Sequence, residues 1–223
     1  MSNQKRILTS EEKHRYTQFL FFWVGQQISL FGSSVIQFIL TWWITYTQEN
    51  PIYLSISMFL TFLPGVILAP LTGVLADKLN RKKLIIVSDA AQAFITIILI
   101  ILLWFYHLSV WLIIGFNGLR AVCQSFHNPS SSAITPLMVP KERISKMSGL
   151  SQLVSALSNI ISPILGAMFW DLWDIKEVLW LDVFTFLIAF IILLFIKIPD
   201  KPINQQVIKS EDEIETDEHI MKK

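Results

Sequence analysis

Residues 53–106 read YLSISMFLTFLPGVILAPLTGVLADKLNRKKLIIVSDAAQAFITIILIILLWFY. Two long apolar runs, Tyr53–Ala76 and Leu84–Tyr106, flank one short cluster of charge, Asp77-Lys78-Leu79-Asn80-Arg81-Lys82-Lys83. Each run exceeds the roughly 20 mainly apolar residues that a helix needs to cross a bilayer core of about 30 Å. Only seven residues separate them, so the pattern is a membrane hairpin: out, a charged turn, and back.

The same pattern continues in both directions. Further apolar runs lie near Phe19–Tyr46, Val110–Ser130, Ile144–Trp170 and Val178–Ile196. They are divided by Gln48-Glu49-Asn50-Pro51, His107-Leu108-Ser109, Pro140-Lys141-Glu142-Arg143 and the stretch from Asp171 to Glu177. The expected fold is therefore all-α, a polytopic bundle of six transmembrane helices. Residues 1–18 form an N-terminal segment, 19–197 the membrane domain and 198–223 a solvated tail with seven acids and four lysines. Composition agrees: 53% of residues are apolar and 16% charged, against about 25% charged in soluble domains. The 16 Phe and 8 Trp suit a lipid core and its interfaces. No cleavable leader is expected, because the first apolar run is longer than a signal core of about 7–15 residues.

Orientation follows from lysine and arginine, which favour the cytoplasmic side. Lys5, Arg6, Lys13 and Arg15 precede the first run. Lys78, Arg81, Lys82 and Lys83 follow the second, and Lys141, Arg143 and Lys146 the fourth. Lys197, Lys201, Lys209, Lys222 and Lys223 lie at or beyond the sixth, leaving Lys176 alone on the opposite side. Both termini are expected in the cytoplasm of a cell membrane. The basic loop is then a topology signal, not a nucleic-acid patch.

Arg120 is the one lysine or arginine deep inside a run. An arginine at the bilayer centre costs about 2.5–3.5 kcal/mol on insertion scales, so it requires a partner or a wet cavity. Asn117, Arg120, Gln124 and His127 fall on one face of the fourth helix, and Gln26, Ser33, Gln37 and Thr41 on one face of the first. We expect a water-lined path ahead of a purely structural polar network, with Gln26, Gln37, Asn117, Arg120 and Gln124 lining it. Asp89, Gln92 and Thr96 share a face of the third helix. Asp89, six residues past the basic loop, is placed at the cytoplasmic interface ahead of a proton-carrying role. Asp182 is expected at the outer interface.

Ser148, Ser151, Ser155, Ser158, Ser162 and Gly166 make a small-residue strip on the fifth helix, which points to close helix packing. Pro163 and Gly166 add a hinge, and Pro64, Gly65 and Pro70 bend the second helix. One cysteine, Cys123, and four scattered histidines supply neither a disulfide nor a metal site. A Gly-rich phosphate loop, HExxH and Gly-x-Ser-x-Gly are all missing from the sequence, so no enzyme and no cofactor is expected.

The run Gly73 to Lys83 resembles the loop signature of the major facilitator superfamily, Gly-x-x-x-Asp-Arg/Lys-x-Gly/Asn-Arg-Arg/Lys, between its second and third helices. Arg120 matches the arginine of that family's fourth-helix motif, with Cys123 and Gln124 where a glycine is expected. Ser162-Pro163-Ile164-Leu165-Gly166-Ala167 is similar to the drug/proton antiporter motif. Phe126 to Pro129, Thr135 to Pro140 and Gly149 to Gln152 look like the branch holding macrolide-efflux proteins and the enterobactin exporter. The resemblance implies an N-terminal six-helix half of a proton-coupled efflux permease for small amphipathic or drug-like molecules. It further implies that Gly73, Asp77, Lys78, Arg81 and Lys82 form a cytoplasmic gate, with Gly73 permitting close helix contact. Family members have twelve helices, so the expected partners are a lipid bilayer, a small-molecule substrate, protons, and a second six-helix half or a second copy. A truncated or split reading frame, or a deliberately shortened chain, is expected ahead of a dimerising half-transporter. A transport-inactive membrane protein, or a partner of a full-length permease, is the alternative.

Overall fold

A computed structural model describes residues 10–106 and 109–198, apart from the side chain of Asp77. The described residues form eight helices: α1 (Ser10–Thr47), α2 (Pro51–Lys78), α3 (Arg81–Phe105), α4 (Val110–Ser132), α5 (Thr135–Met138), α6 (Lys141–Leu172), α7 (Ile175–Val178) and α8 (Trp180–Phe195). Five stretches are long and apolar enough to cross a membrane: α1, residues 51–76 of α2, α3, α6, and α7 with α8 taken together. The fourth expected span, α4, has the length at 23 residues but is too polar to be counted with them. Asn117, Arg120, Gln124, His127 and Asn128 all lie within it.

Capping explains the helix ends. Asn50 accepts a hydrogen bond from the Ile52 amide at 3.0 Å, just ahead of Pro51 in the first turn of α2. Asn80 does the same for Lys83 at 3.1 Å and starts α3. The charged connector of the sequence reading therefore contracts to Leu79 and Asn80, because helix claims the residues on either side. Likewise α1 begins at Ser10, nine residues before the first apolar run, with Glu11 and Glu12 in its first turn where the helix dipole favours them. The N-terminal segment is thus partly helical, and apolarity alone could not mark that start. Residues 199–223 of the expected tail lie outside the described residues.

α4 packs mainly on α2 and α3, α1 mainly on α8 and α6, and α3 meets α8. Exchanging the first three spans for the last three maps this scheme onto itself: α2 with α4 becomes α6 with α1, and α3 with α4 becomes α8 with α1. That is the packing of an inverted three-plus-three repeat. Sequence comparison of the two halves had given no sign of it.

Two apolar belts close the ends of the bundle. One holds Val35, Ile36, Ile39, Leu40, Ile44, Leu99, Ile100, Ile113, Ile114, Val178 and Leu179. The other holds Phe19, Phe22, Ile85, Ile134, Leu137, Met138, Val139, Met147, Leu193 and Ile196. Polar residues of α1, α3, α4 and α8 occupy the layer between. α2 and α6 bury least, with 6% and 11% of their most apolar windows inside the protein. Accordingly the α6 small-residue strip packs only in part: Ser148 and Ser155 are exposed, Ser151 and Ser158 are half-buried with Ser151 Oγ accepting from Trp23 Nε1 of α1 at 2.7 Å, and Ser162 and Gly166 are buried. At Gly166 the packing reading holds, since a Cβ there would stand 2.5 Å from Phe38 Cδ1 of α1.

Replacing Gly166 by valine should force α6 away from Phe38 and cost about 1–3 kcal/mol, the usual range for overpacking. The midpoint of thermal unfolding in detergent, followed by size-exclusion fluorescence, should fall for Gly166→Val and stay unchanged for Gly149→Val, where a Cβ meets nothing within 4 Å.

Candidate functional site: a polar trough beside a buried ion pair

The polar layer is organised by one carboxylate. Asp182, two residues into α8, accepts from Ser33 Oγ of α1 through Oδ1 at 2.7 Å. Its Oδ2 accepts from Thr96 Oγ1 of α3 at 2.8 Å and from Arg120 Nη1 of α4. Arg120 Nη1 also touches Thr96 Oγ1. Gln92 Nε2 extends the net by donating to Ser33 Oγ at 2.8 Å. Four helices are thereby tied at one point. The Arg120 and Asp182 side chains are each 4% exposed. An ion pair so far from water is tolerated only when charge and hydrogen bonds are both satisfied.

The expectation of Asp182 at the outer interface is corrected by this pair. Its apolar run was taken to begin at Val178, but α7 adds a helical turn beyond it, and Val178 and Leu179 are 3% and 0% exposed. A buried layer therefore covers the carboxylate. Arg120 contained the signal that was missed: a cation inside the spans needs an acid at its own depth. Only Asp89 and Asp182 lie well inside a run.

A second cluster sits two turns along α4. His127 Nε2 donates to Gln26 Oε1 of α1 at 2.7 Å and lies 3.5 Å from Asp89 Oδ1 of α3. Asp89 was placed at the cytoplasmic interface. Its side chain instead turns inward and is 15% exposed, because His127 and Gln26 offer polar partners inside the bundle.

Between the helices runs a trough of about 580 Å³. α1 and α4 form its floor, through Ser33, Gln37 and Thr41 on one side and Arg120, Gln124 and Asn128 on the other. α2 supplies one rim with Thr61, Phe62 and Gly65, α6 the opposite rim with Asn159, Ser162 and Pro163, and α3 adds Gln92. The structure thus brings Gln37, Arg120 and Gln124 together on the wall. Gln26 and Asn117 lie off it: Gln26 is held by His127, and Asn117 Nδ2 donates to Ser57 Oγ of α2 at 3.2 Å. Sequence reasoning had not assigned Ser162, Asn159 or Asn128 to a path, because serine and asparagine on one helix face give no signal of what they face.

The gate residues fall at the other end. Arg81 Nε donates to the Ala76 carbonyl at 3.2 Å and so caps α2. Lys82 Nζ donates to the carbonyls of Ile196 at 2.7 Å and Leu194 at 3.2 Å, tying α3 to the C-terminal end of α8. Lys78 is exposed. The expected pairing of Asp77 with Arg81 lies outside the described residues, since nothing is described of the Asp77 side chain. The close contact expected at Gly73 is not made: a Cβ there would meet nothing within 4 Å.

A bundle of membrane-length helices, built as an inverted repeat around an open polar trough, has the architecture of a carrier domain. Residues 22–218 match the family profile described as Major Facilitator Superfamily, and the chain belongs to that superfamily of multi-pass membrane transporters, which are not enzymes. It is 32% identical over 182 residues to macrolide efflux protein A of Streptococcus pyogenes, covering 82% of this chain and 45% of that protein. It is 36% identical over 146 residues to macrolide efflux protein A of Enterococcus faecalis, covering 66% of this chain and 45% of that protein. A more distant relative, the staphyloferrin A transporter of Staphylococcus aureus, is 23% identical over 149 residues. The chain spans less than half the length of these relatives.

Removing one member of the pair should be far worse than removing both. Asp182→Leu strands Arg120 and should cost about 3–5 kcal/mol. The double variant Arg120→Leu with Asp182→Leu should recover much of that loss. A double-mutant cycle on detergent unfolding measures the coupling.

Proposed function

We propose that this chain forms six helices of an efflux permease, both termini in the cytoplasm of a bacterial cell membrane, and that its trough is one wall of the path for a small amphipathic molecule. The observation that carries the reading is the wall itself: Gln37, Thr41, Gln124 and Asn128, with the buried Arg120 among them, line an open trough at mid-depth in a bundle whose two ends are closed by apolar belts. A purely structural polar network would have no reason to border 580 Å³ of open space. The kinship with two macrolide efflux proteins supports outward movement of drug-like molecules. A second six-helix half, or a second copy of the chain, would complete the path by closing over α2 and α6. The charges at the Asp77 to Lys83 end would then bias the two arrangements that alternating access requires. Pro163 and Gly166 would serve as the hinge of α6.

Proton coupling needs a carboxylate that can exchange. Asp182 has both oxygens occupied by Ser33, Thr96 and Arg120. Asp89 is less committed, standing 3.5 Å from His127 and partly exposed. We therefore assign the proton-carrying role to Asp89 and the structural role to Asp182.

Accumulation of a radiolabelled macrolide in susceptible cells tests the reading. Cells expressing the chain together with a candidate second half should retain several-fold less label than empty-vector cells. Collapse of the proton gradient, or Asp89→Asn, should abolish the difference. Equal accumulation would point to a transport-inactive membrane protein. Export unchanged in Arg120→Ala but lost in Asp77→Asn would remove Arg120 from the path.

A further inference from the structure

On another face of α4 from the trough, α2, α3 and α4 enclose a second hollow, a groove of about 540 Å³. α2 and α3 leave their two-residue connector together yet scarcely touch beyond it, because each packs on α4 instead, and the gap between them is the groove. Its lining is apolar over most of its length, with Leu75 from α2, Val87 and Ala91 from α3 and Phe126 from α4. Lys83 is the one charged residue in that lining, and it stands at one end, beside Asn80 at the start of α3. The groove is open to the surroundings of the bundle: Lys83 is exposed and Val87 is 66% exposed.

Length and charge together narrow the occupant. From Asn80 to Ala91 the groove follows α3 for about 16 Å at a rise of 1.5 Å per residue. One leaflet of a bilayer whose hydrocarbon is about 30 Å thick is about 15 Å deep, so the groove has the reach of one lipid tail. Its charged end lies in the stretch 77–83, which holds four basic residues and one acidic. Lys82 is committed to the carbonyls of Ile196 and Leu194, and Arg81 Nε to that of Ala76. The ammonium groups of Lys78 and Lys83 are exposed and have no partner among the described residues. Basic pockets between membrane helices attract anionic headgroups, and the positive end of the α3 dipole adds to that attraction. A zwitterionic headgroup would gain less, because its ammonium finds no acid in the groove lining among the described residues.

We infer that the α2–α3–α4 groove binds one anionic diacyl phospholipid. Its phosphate sits on Lys83 and Asn80, and one acyl chain lies along Val87, Ala91 and Phe126. Asn80 Oδ1 is already taken by the Lys83 amide, which leaves the side-chain N–H groups of Asn80 to donate to a phosphate oxygen. The inference needs only that the chain lies in a bilayer, so it stands or falls apart from the transport reading of the trough.

The test is a lipid titration of the full, delipidated chain in neutral detergent, read by native mass spectrometry. The probes are dioleoyl phosphatidylglycerol, dioleoyl phosphatidylcholine and free glycerol phosphate. Phosphatidylglycerol should fill one site well before any further lipid binds, at a concentration several-fold below that for phosphatidylcholine, and glycerol phosphate should not bind. Lys83→Gln should weaken the tight site roughly fivefold, the worth of one basic residue at an anionic surface. Lys146→Gln, an equally exposed lysine outside the groove, should leave it unchanged. Val87→Trp, at an exposed position that a larger side chain can occupy without entering the core, should remove the tight site by filling the groove. Equal binding of the two phospholipids would reduce the groove to ordinary lipid-facing surface and overturn the inference. So would equal losses in Lys83→Gln and Lys146→Gln, or a tight site that survives Val87→Trp. Binding of glycerol phosphate as tight as that of the whole lipid would make this a free-anion site and overturn the lipid assignment.

Discussion

A cation placed inside a bilayer must find an anion at its own depth, and the rest of this bundle is arranged around that requirement. Arg120 meets Asp182, and the carboxylate in turn collects hydrogen bonds from Ser33 and Thr96. Because the four residues come from α4, α8, α1 and α3, satisfying one charge fixes the relative depth of four helices. The pair contributes less through its own energy than through the penalty for leaving either ion alone, since both are shut off from water. Helices that slide by a turn would break the pair, which gives the bundle a register that apolar packing alone would leave loose.

Around that point the layers follow. Apolar belts above and below keep water from the ends, while the polar residues between them open onto the trough. The inverted-repeat packing puts α1 and α4 in equivalent positions as its floor and α2 and α6 in equivalent positions as its rims. The rims are also the membrane-length helices that bury the smallest share of their apolar windows, so the trough opens between the two helices with the most uncovered surface. Lys82 holds the far end by joining the start of α3 to the last carbonyls of α8.

Much of this was legible in the sequence, for reasons that also set the limits. Apolar runs of spanning length locate helices because hydrocarbon tolerates little else, so all six spans were placed within a few residues at most ends. The same rule was blind to residues 10–18 of α1, where helix continues without apolarity. Arg120, Gln37 and Gln124 could be read as wall residues from helical periodicity. Gln26 and Asn117 share those faces but are taken up by His127 and Ser57, and a single helix cannot reveal which neighbour will claim a side chain. Asp182 was misplaced because depth was judged from the ends of its own run, without the turn that α7 adds. Pairwise matching of intramembrane charges would have corrected it. The repeat is visible only in three dimensions, since it is a symmetry of contacts between helices whose sequences do not align.

The central claim is that the face of α1 and α4 beside the ion pair borders open, reachable space. Thiol accessibility in membranes measures this directly. In a Cys123→Ser background, Gln37→Cys and Gln124→Cys should react with a small membrane-impermeant thiol reagent, while Ile36→Cys, fully buried in the apolar belt, should not. Failure of both trough positions to react, at a rate indistinguishable from Ile36→Cys, would contradict the account.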